Sequence, residues 1–218
     1  MKLSRGFKLT AFVVLLLVID QVIKFLVKTN MTLGQSIPVF GNWFQILFVE
    51  NKGMAFGMQF GGDIGKLILS LFRIVLVVFI IVWMRRLLRR EGVPFGVLIG
   101  LAAILCGAMG NIIDSLFYGM VFSQSTATEV AQFLPDGGGY SGFLMGKVVD
   151  MLYFPIIDTD LPSRLPIWGG RHFLFFQPIF NFADSCITCG AIYLLIFHWR
   201  FFSSSVETPS EKRKHLSE

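Results

Sequence analysis

The feature that most constrains this chain is a set of four apolar stretches, each long enough to cross a lipid bilayer. A transmembrane helix needs about 20 mainly apolar residues to cross about 30 Å of hydrocarbon. The composition agrees, since 54% of the 218 residues are hydrophobic and 15% are charged, whereas soluble domains carry about 25% charged residues. The sequence therefore predicts an all-α membrane protein with four transmembrane helices, at about residues 9–27, 65–84, 93–113 and 179–199.

Basic residues are distributed unevenly over the segments between these stretches. The N-terminal eight residues, the connection MRRLLRREG and the tail from Arg200 together carry eleven Lys and Arg. The two long loops, 28–64 and 114–178, carry five. Cytoplasmic loops of membrane proteins are enriched in Lys and Arg, so we expect both termini in the cytoplasm and both long loops outside. Because the cations do not cluster on a soluble surface, we expect no nucleic-acid partner.

We expect one membrane domain over residues 1–202 and a polar cytoplasmic tail over 203–218, whose composition is typical of disorder. The first apolar run has no small-residue cleavage site, so we interpret it as an uncleaved span. Residues 39–49, VFGNWFQILFV, are rich in β-branched and aromatic types. They predict short strands in a small β-rich element over the outer membrane face.

The chain shows no pattern typical of a disulfide framework or a metal site. The three cysteines fall inside apolar stretches, and the three histidines lack the spacing of metal ligands. We therefore expect no cofactor.

The third apolar stretch contains small residues at alternating steps of four and three. Such a stripe lets neighbouring helix backbones approach closely in a membrane. Asn111 and Asp114 continue the stripe, so we expect both to point into the bundle, with Asp114 closing the third helix. Asp184 lies at the outer end of the fourth stretch, where Pro178 suits the start of a helix. The stripe consists of Gly96, Gly100, Ala103, Gly107 and Gly110.

Three further charges lie within apolar stretches, where an unpaired charge is costly. Asp20 and Lys24 are spaced i, i+4 and can pair on one helix face. The pair is either structural, with Lys24 extending its ammonium to water, or it borders a functional site. Arg73 lies eight residues into the second stretch. We expect it to neutralise an outer acid or a substrate head group.

Asp150, in the segment GKVVDMLYFP, is the remaining candidate acid. Its apolar neighbours suggest a segment that dips into the membrane interface, where it could approach Asp184. Two close carboxylates do not both ionise easily, and an aspartic peptidase uses such a pair as base and acid. Interfacial acids are also found as structural groups and in proton-coupled transport. The residues alone leave these alternatives open.

Five segments, in this order around four apolar stretches, together resemble the lipoprotein signal peptidase (signal peptidase II) family. The resemblance covers nearly the whole chain except the tail and parts of the second long loop. Each motif is weak alone, but five in register are specific. They are DQVIK at 20–24, NKGMAFG at 51–57, GNIID at 110–114, GKVVD at 146–150 and FNFAD at 180–184.

The resemblance implies a multi-pass aspartic endopeptidase of the bacterial inner membrane, with its active site at the extracytoplasmic face. Its substrates would be prolipoproteins, cleaved before a cysteine that carries diacylglycerol. It further implies that Asp150 and Asp184 are the catalytic pair, and that Asp114 is a supporting acid. The other motif positions would bind substrate and lipid or orient the acids; they are Asp20, Lys24, Asn51, Gly53, Asn111, Asn181 and Ala183.

The chain departs from the family pattern in two ways. The family usually places Arg after the GNxxD acid, but this chain has Ser115, and Arg73 is the candidate replacement. In addition, Asp114 and Asp150 are 36 positions apart, so an insertion must loop out. It either covers the site as a lid or packs at the surface, and its three consecutive glycines favour the surface. A further stretch at 156–172 lengthens the path to Asp184.

Two other functions remain as alternatives. A proton-coupled transporter or channel would use interfacial carboxylates as a relay, but it would distribute its acids through the membrane depth. A structural membrane subunit would use the same polar groups only for helix packing. We expect the protein to be a monomer.

Overall fold

The computed structural model describes residues 3–52, 62–164 and 170–203. Within them, three helices are long and apolar enough to cross a membrane: α1 (Arg5–Asn30), α2 (Gly62–Leu88) and α3 (Phe95–Val121). A fourth apolar helix, α4 (Phe182–Phe197), has 16 residues and is followed by α5 (Trp199–Ser203). The prediction of a helical membrane protein is confirmed. That α4 also crosses the membrane stays a prediction.

Two predicted helix boundaries are wrong. Asp114 does not close the third helix, because the chain continues through a π-helical turn at Asp114–Tyr118 and ends at Val121. The fourth helix does not start near Pro178, because residues 179 and 180 form a short strand that pairs with Tyr153 and Leu152. The side chain of Asn181 then caps the helix by accepting a hydrogen bond from the Asp184 N–H, at 3.0 Å.

The small-residue stripe brings α3 and α4 into close contact, as predicted. A Cβ added at Gly107 would lie 2.2 Å from the carbonyl oxygen of Ala183. A Cβ at Gly110 would lie 2.5 Å from Oδ2 of Asp20 on α1. Only glycine permits these approaches, so the stripe fixes how near the polar residues at the end of α3 come to α1 and α4.

A four-stranded antiparallel sheet lies at the end of the bundle where α1 finishes and α4 begins. Its strand order is β1 (Ser36–Phe40), β2 (Phe44–Asn51), β3 (Val148–Tyr153) and β6 (Ile179–Phe180). The predicted strands within 39–49 are thereby confirmed. Asp150 lies in β3, so the segment predicted to dip into the interface is a central strand that pairs with β2 and β6.

The two inserted stretches have different structures. The stretch at 156–172 contributes to a hairpin of β4 (Ile157–Asp160) and β5 (His172–Phe175). The insertion between Asp114 and Asp150 packs against the end of α1 and the sheet. Phe122 and Ser125 are fully buried, so the expectation of simple surface packing is wrong for this part of the insertion.

Candidate active site

The predicted acids lie together where α1, α3, α4 and the sheet meet. Asp150 comes from β3, Asp184 from the first turn of α4, and Asp114 from the π-helical turn of α3. Asp20 and Lys24 come from the same end of α1. Residues that are up to 164 positions apart in the chain therefore form one polar cluster.

Asn181 connects the two acids of the expected pair. Its side-chain Nδ2 donates to Oδ1 of Asp150 at 2.7 Å. Its backbone N–H donates to Oδ2 of Asp184 at 3.2 Å, and its Oδ1 accepts from the Asp184 N–H. The capping box of α4 thus holds Asp184 and, through the same asparagine, contacts Asp150.

Asn111 completes the contact between α3 and this pair. Its Nδ2 donates to Oδ1 of Asp184 at 2.8 Å. Its Oδ1 accepts from Asn181 Nδ2 at 3.1 Å and from Lys24 Nζ at 3.0 Å. The amide therefore has one orientation that satisfies all its partners, and it aligns one oxygen of Asp184.

Asp150 is buried and accepts two amide hydrogen bonds. Asn181 donates to one oxygen, and Asn51 Nδ2, at the end of β2, donates to the other at 3.2 Å. Burial, together with the neighbouring Asp184 carboxylate, raises the pKa of Asp150 to about 7. One proton shared by this pair near neutral pH is the state in which one carboxyl can donate while the other accepts.

A buried ion network lies beneath the pair. Lys24 Nζ contacts Asp20 Oδ2 at 3.1 Å and Asp114 Oδ2 at 2.8 Å, and all three side chains are fully buried. The predicted pairing of Asp20 with Lys24 is confirmed. The alternative in which Lys24 extends to water is wrong, because its three N–H groups are used by Asp20, Asp114 and Asn111.

The network also holds the backbone of two neighbouring elements. Asp114 Oδ2 accepts from the backbone N–H of Val149 at 3.2 Å, one residue before Asp150. Asp20 Oδ1 accepts from the backbone N–H of Ala183 at 3.0 Å, one residue before Asp184. Each acid of the network therefore fixes the strand or helix that carries one acid of the pair.

Gln21 and Tyr118 belong to this site, although sequence reasoning missed both. Gln21 Nε2 donates to Asp114 Oδ1 at 3.0 Å and to Asp20 Oδ2 at 3.1 Å, and its Oε1 accepts from the Tyr118 hydroxyl. Gln21 lies inside the DQVIK motif, and its position there could have identified it as a site residue. No sequence feature identified Tyr118 as a site residue, because the sequence predicts that the third helix ends at Asp114.

Three other residues considered from the sequence are Arg73, Ser115 and Gly53, and they differ in how they relate to the acids. Arg73 is half-buried on α2, near enough for the charges of Asp184, Asp150 and Asp114 to act on it. Ser115 is buried, and its hydroxyl donates to the Asn111 carbonyl at 3.0 Å, so it supplies no cation. Gly53 lies outside the described residues.

No group of three His, Cys, Asp or Glu among the described residues could hold a metal ion. The site instead consists of carboxylates, amides, the Tyr118 hydroxyl and one central ammonium. Every buried side-chain nitrogen and oxygen within the described part of the chain has a hydrogen-bond partner. This arrangement suits acid–base chemistry at Asp150 and Asp184.

Comparison with known proteins identifies the family. The profile described as Signal peptidase (SPase) II matches residues 12–200. The lipoprotein signal peptidase of Porphyromonas gingivalis is 52% identical over 202 residues, which cover 93% of this chain and 87% of that protein. That of Amoebophilus asiaticus is 36% identical, over 96% of this chain and 83% of that protein.

Two solved structures described as bacterial membrane enzymes share the fold, each with a TM-score of 0.56. They are 21% and 22% identical, and cover 92% and 87% of this chain and 93% and 90% of their own chains. The profile and the curated relatives carry the assignment, and the solved structures support the architecture. The chain therefore belongs to the signal peptidase II family, the lipoprotein signal peptidases, and is an aspartic peptidase.

Proposed function

We propose that this protein removes the signal peptide from prolipoproteins with Asp150 and Asp184 as its catalytic pair. The observation that carries the assignment is the hydrogen bonding of both carboxylates to Asn181. Asp114 is less suited to the reaction, because it contacts the Lys24 ammonium and the Val149 N–H. We assign Asp114 a supporting role for this reason.

The chemistry requires one proton on the pair. Asp184, as the carboxylate, takes a proton from water while the water oxygen attacks the scissile carbonyl carbon. Asp150, as the acid, donates its proton to the carbonyl oxygen. The tetrahedral intermediate then collapses and the C–N bond breaks. One hydroxyl of the intermediate returns its proton to Asp150 as the carboxylic acid forms, and the departing amine takes the proton that Asp184 accepted.

The substrate follows from the position of the pair. Both acids lie at one end of the helix bundle. This end contains the C-terminal half of α1 and the first turn of α4. With both termini in the cytoplasm, this end of the bundle lies at the extracytoplasmic face of the bacterial inner membrane. A signal helix in the bilayer presents its cleavage site at that depth, before a cysteine carrying diacylglycerol. We expect the peptidase to act as a monomer in contact with membrane lipid.

Arg73 has a place in the same proposal. It lies near enough for the charges of Asp184 and Asp150 to act on its guanidinium. Arg73 supplies the positive charge that the family usually has at the position of Ser115, and it neutralises the negative charge of the Asp150–Asp184 pair. We expect Arg73→Leu to lower cleavage about tenfold, the value of one charge-assisted contact, and unchanged cleavage by the folded variant would remove Arg73 from the site.

The decisive experiment is cleavage in detergent of a prolipoprotein carrying diacylglyceryl-cysteine. We expect wild type to cut before that cysteine, and folded Asp150→Asn and Asp184→Asn variants to lose at least about 10³-fold in rate. Glu129→Gln, an exposed acid in the insertion, is the matched control and should cleave normally. Activity that survives either substitution would transfer the role to Asp114. No cleavage by folded wild type would overturn the proposed function.

A further inference from the structure

A second buried ion cluster lies on the far side of the sheet from the catalytic pair. We call Lys28, Glu50, Ser125 and Lys147 the Glu50 cluster. Glu50 Oε1 accepts from Lys28 Nζ and from Ser125 Oγ, the latter at 2.9 Å. Glu50 Oε2 accepts from Lys147 Nζ at 2.8 Å. None of the five family motifs in this sequence contains Glu50, Ser125 or Lys28.

The partners of Glu50 come from three separate segments. Lys28 is in the last turn of α1, Ser125 is in the insertion, and Lys147 directly precedes β3. The insertion adds Tyr140, whose ring centre lies 5.1 Å from Lys28 Nζ and 5.3 Å from Lys147 Nζ. The insertion therefore completes the surroundings of Glu50 with a hydroxyl and an aromatic ring.

Glu50 is the residue before Asn51, at the end of β2. In the sheet register, Glu50 is opposite Val149, while Val49 is opposite Asp150. Successive residues of a strand point to opposite faces. The Glu50 side chain thus lies behind the sheet, and Asn51 lies in front, where its amide donates to Asp150 at 3.2 Å.

We propose that Glu50 is a positioning residue for cleavage, held from behind by the insertion so that Asn51 keeps its hydrogen bond to Asp150. The end of a strand is prone to fray. A buried carboxylate with three charged or hydroxyl donors fixes that end firmly, because any displacement leaves an unpaired buried charge. The inference rests on the proposed catalytic role of Asp150.

Positioning can be distinguished from a direct effect of charge. The charges near Asp150 are those of Asp184 on α4, Lys24 on α1 and Arg73 on α2. Asp114 of α3 accepts from the backbone N–H of the preceding residue, Val149. The hydrogen bond from Asn51 lowers the pKa of Asp150, so losing it raises that pKa. Removing a negative charge from Glu50 by itself would act in the opposite direction. The alkaline limb of the pH profile therefore reports which effect operates.

The experiment compares Glu50→Gln, Ser125→Ala and the control Ser123→Ala in the same cleavage assay. Ser123 is also in the insertion, but its hydroxyl accepts from the Gln132 N–H. We expect kcat to fall about tenfold for Glu50→Gln and about threefold for Ser125→Ala, with KM unchanged. The alkaline limb should move to higher pH in both, and Ser123→Ala should match wild type.

A double-mutant cycle with Asn51→Ala tests the route of the effect. If Glu50 acts through Asn51, Glu50→Gln should reduce kcat less than about twofold in the Asn51→Ala background. Full additivity, an unmoved alkaline limb, or normal kcat in folded Glu50→Gln would each overturn the inference. If Glu50→Gln does not fold, Ser125→Ala decides by the same readouts.

The Asp150→Asn and Asp184→Asn variants separate this inference from the proposed function. If wild type cleaves and both Asn variants fail while the Glu50 and Ser125 variants behave as wild type, the positioning role alone is wrong.

Discussion

Two buried ion networks lie one helical turn apart on α1, and they have opposite compositions. The network at Lys24 has one ammonium between two carboxylates, Asp20 and Asp114. The Glu50 cluster has one carboxylate between two ammonium groups, Lys28 and Lys147. The first lies beneath Asp150 and Asp184, the proposed catalytic pair, and the second lies behind the sheet.

The difference shows how each network can be weakened. Lys24 contacts both Asp20 and Asp114, so its loss leaves two buried carboxylates without the cation that they share. Glu50, by contrast, has two cations and a hydroxyl. Losing one of the cations leaves it still paired. The two networks are both buried, but the Glu50 cluster should tolerate the loss of one cation better than the network at Lys24.

The largest expected effect is that of Lys24→Met. This substitution keeps the apolar stem but leaves Asp20 and Asp114 without their shared cation, and breaking a buried pair costs about 3–5 kcal/mol. We expect that decrease in the free energy of unfolding, measured by SDS titration in mixed micelles. Loss of less than about 1 kcal/mol would show that the two networks do not differ as described.

The pH dependence of stability should have opposite signs at the two carboxylates of the sheet. The pKa of Asp150 is raised from 3.8 to about 7. Between those values the unfolded chain loses a proton that the folded protein keeps, so stability should fall as pH rises, by up to about 1.4 kcal/mol per pH unit. Unfolding titrations across this window should show the decline in wild type and not in Asp150→Asn.

Glu50 should behave in the opposite way. Burial alone would raise the pKa of Glu50, but Lys28 and Lys147 bring it below 4.5. Its contribution to stability is therefore complete above pH 4.5 and is lost as pH falls through the lower folded pKa. Glu50→Gln should reduce this loss in acid, and an unchanged acid limb would contradict the assigned charge state.

Lys28→Met should have a smaller effect than Lys24→Met. Glu50 keeps Lys147 and Ser125 as partners, so the cost approaches that of one charged hydrogen bond, about 2 kcal/mol. The same SDS titration measures it. A cost equal to that of Lys24→Met would mean that the second cation gives Glu50 no protection.

The smallest effect should come from Lys147→Met. The Lys147 side chain is 21% exposed, so water screens its pairing with Glu50, and we expect a loss of about 1 kcal/mol or less. A larger loss would place Lys147, and not Lys28, as the main partner of Glu50.

Much of this architecture could be predicted from local sequence. The apolar lengths predicted the long helices, and the i, i+4 spacing predicted the pairing of Asp20 with Lys24, because both depend on near neighbours in the chain. The boundary at Asp114 was wrong because a π-helical turn continues α3, and the Gly146 N–H of the insertion donates to the Ser115 carbonyl in that turn. The start of α4 was wrong because residues 179 and 180 pair with a strand about 27 residues earlier.

The Glu50 cluster could not be predicted in the same way. Its members are distributed from residue 28 to residue 147, and no spacing rule connects them. The side chains of Lys28 and Glu50 are buried beneath the insertion, whose Ser125 bonds to Glu50. A charged residue in a loop is ordinarily solvated, so its sequence context indicated nothing unusual.

The sequence by itself determined that the chain is a membrane protein, where its long helices run, which acids are candidates, and which family it resembles. These depend on composition, periodicity and motifs, which are local properties. Only the tertiary structure decided that Asn181 contacts both Asp150 and Asp184, and that Lys24 is buried between Asp20 and Asp114. Such contacts depend on how close glycine lets α3 approach its neighbours and on strand register, and both are set by long-range packing.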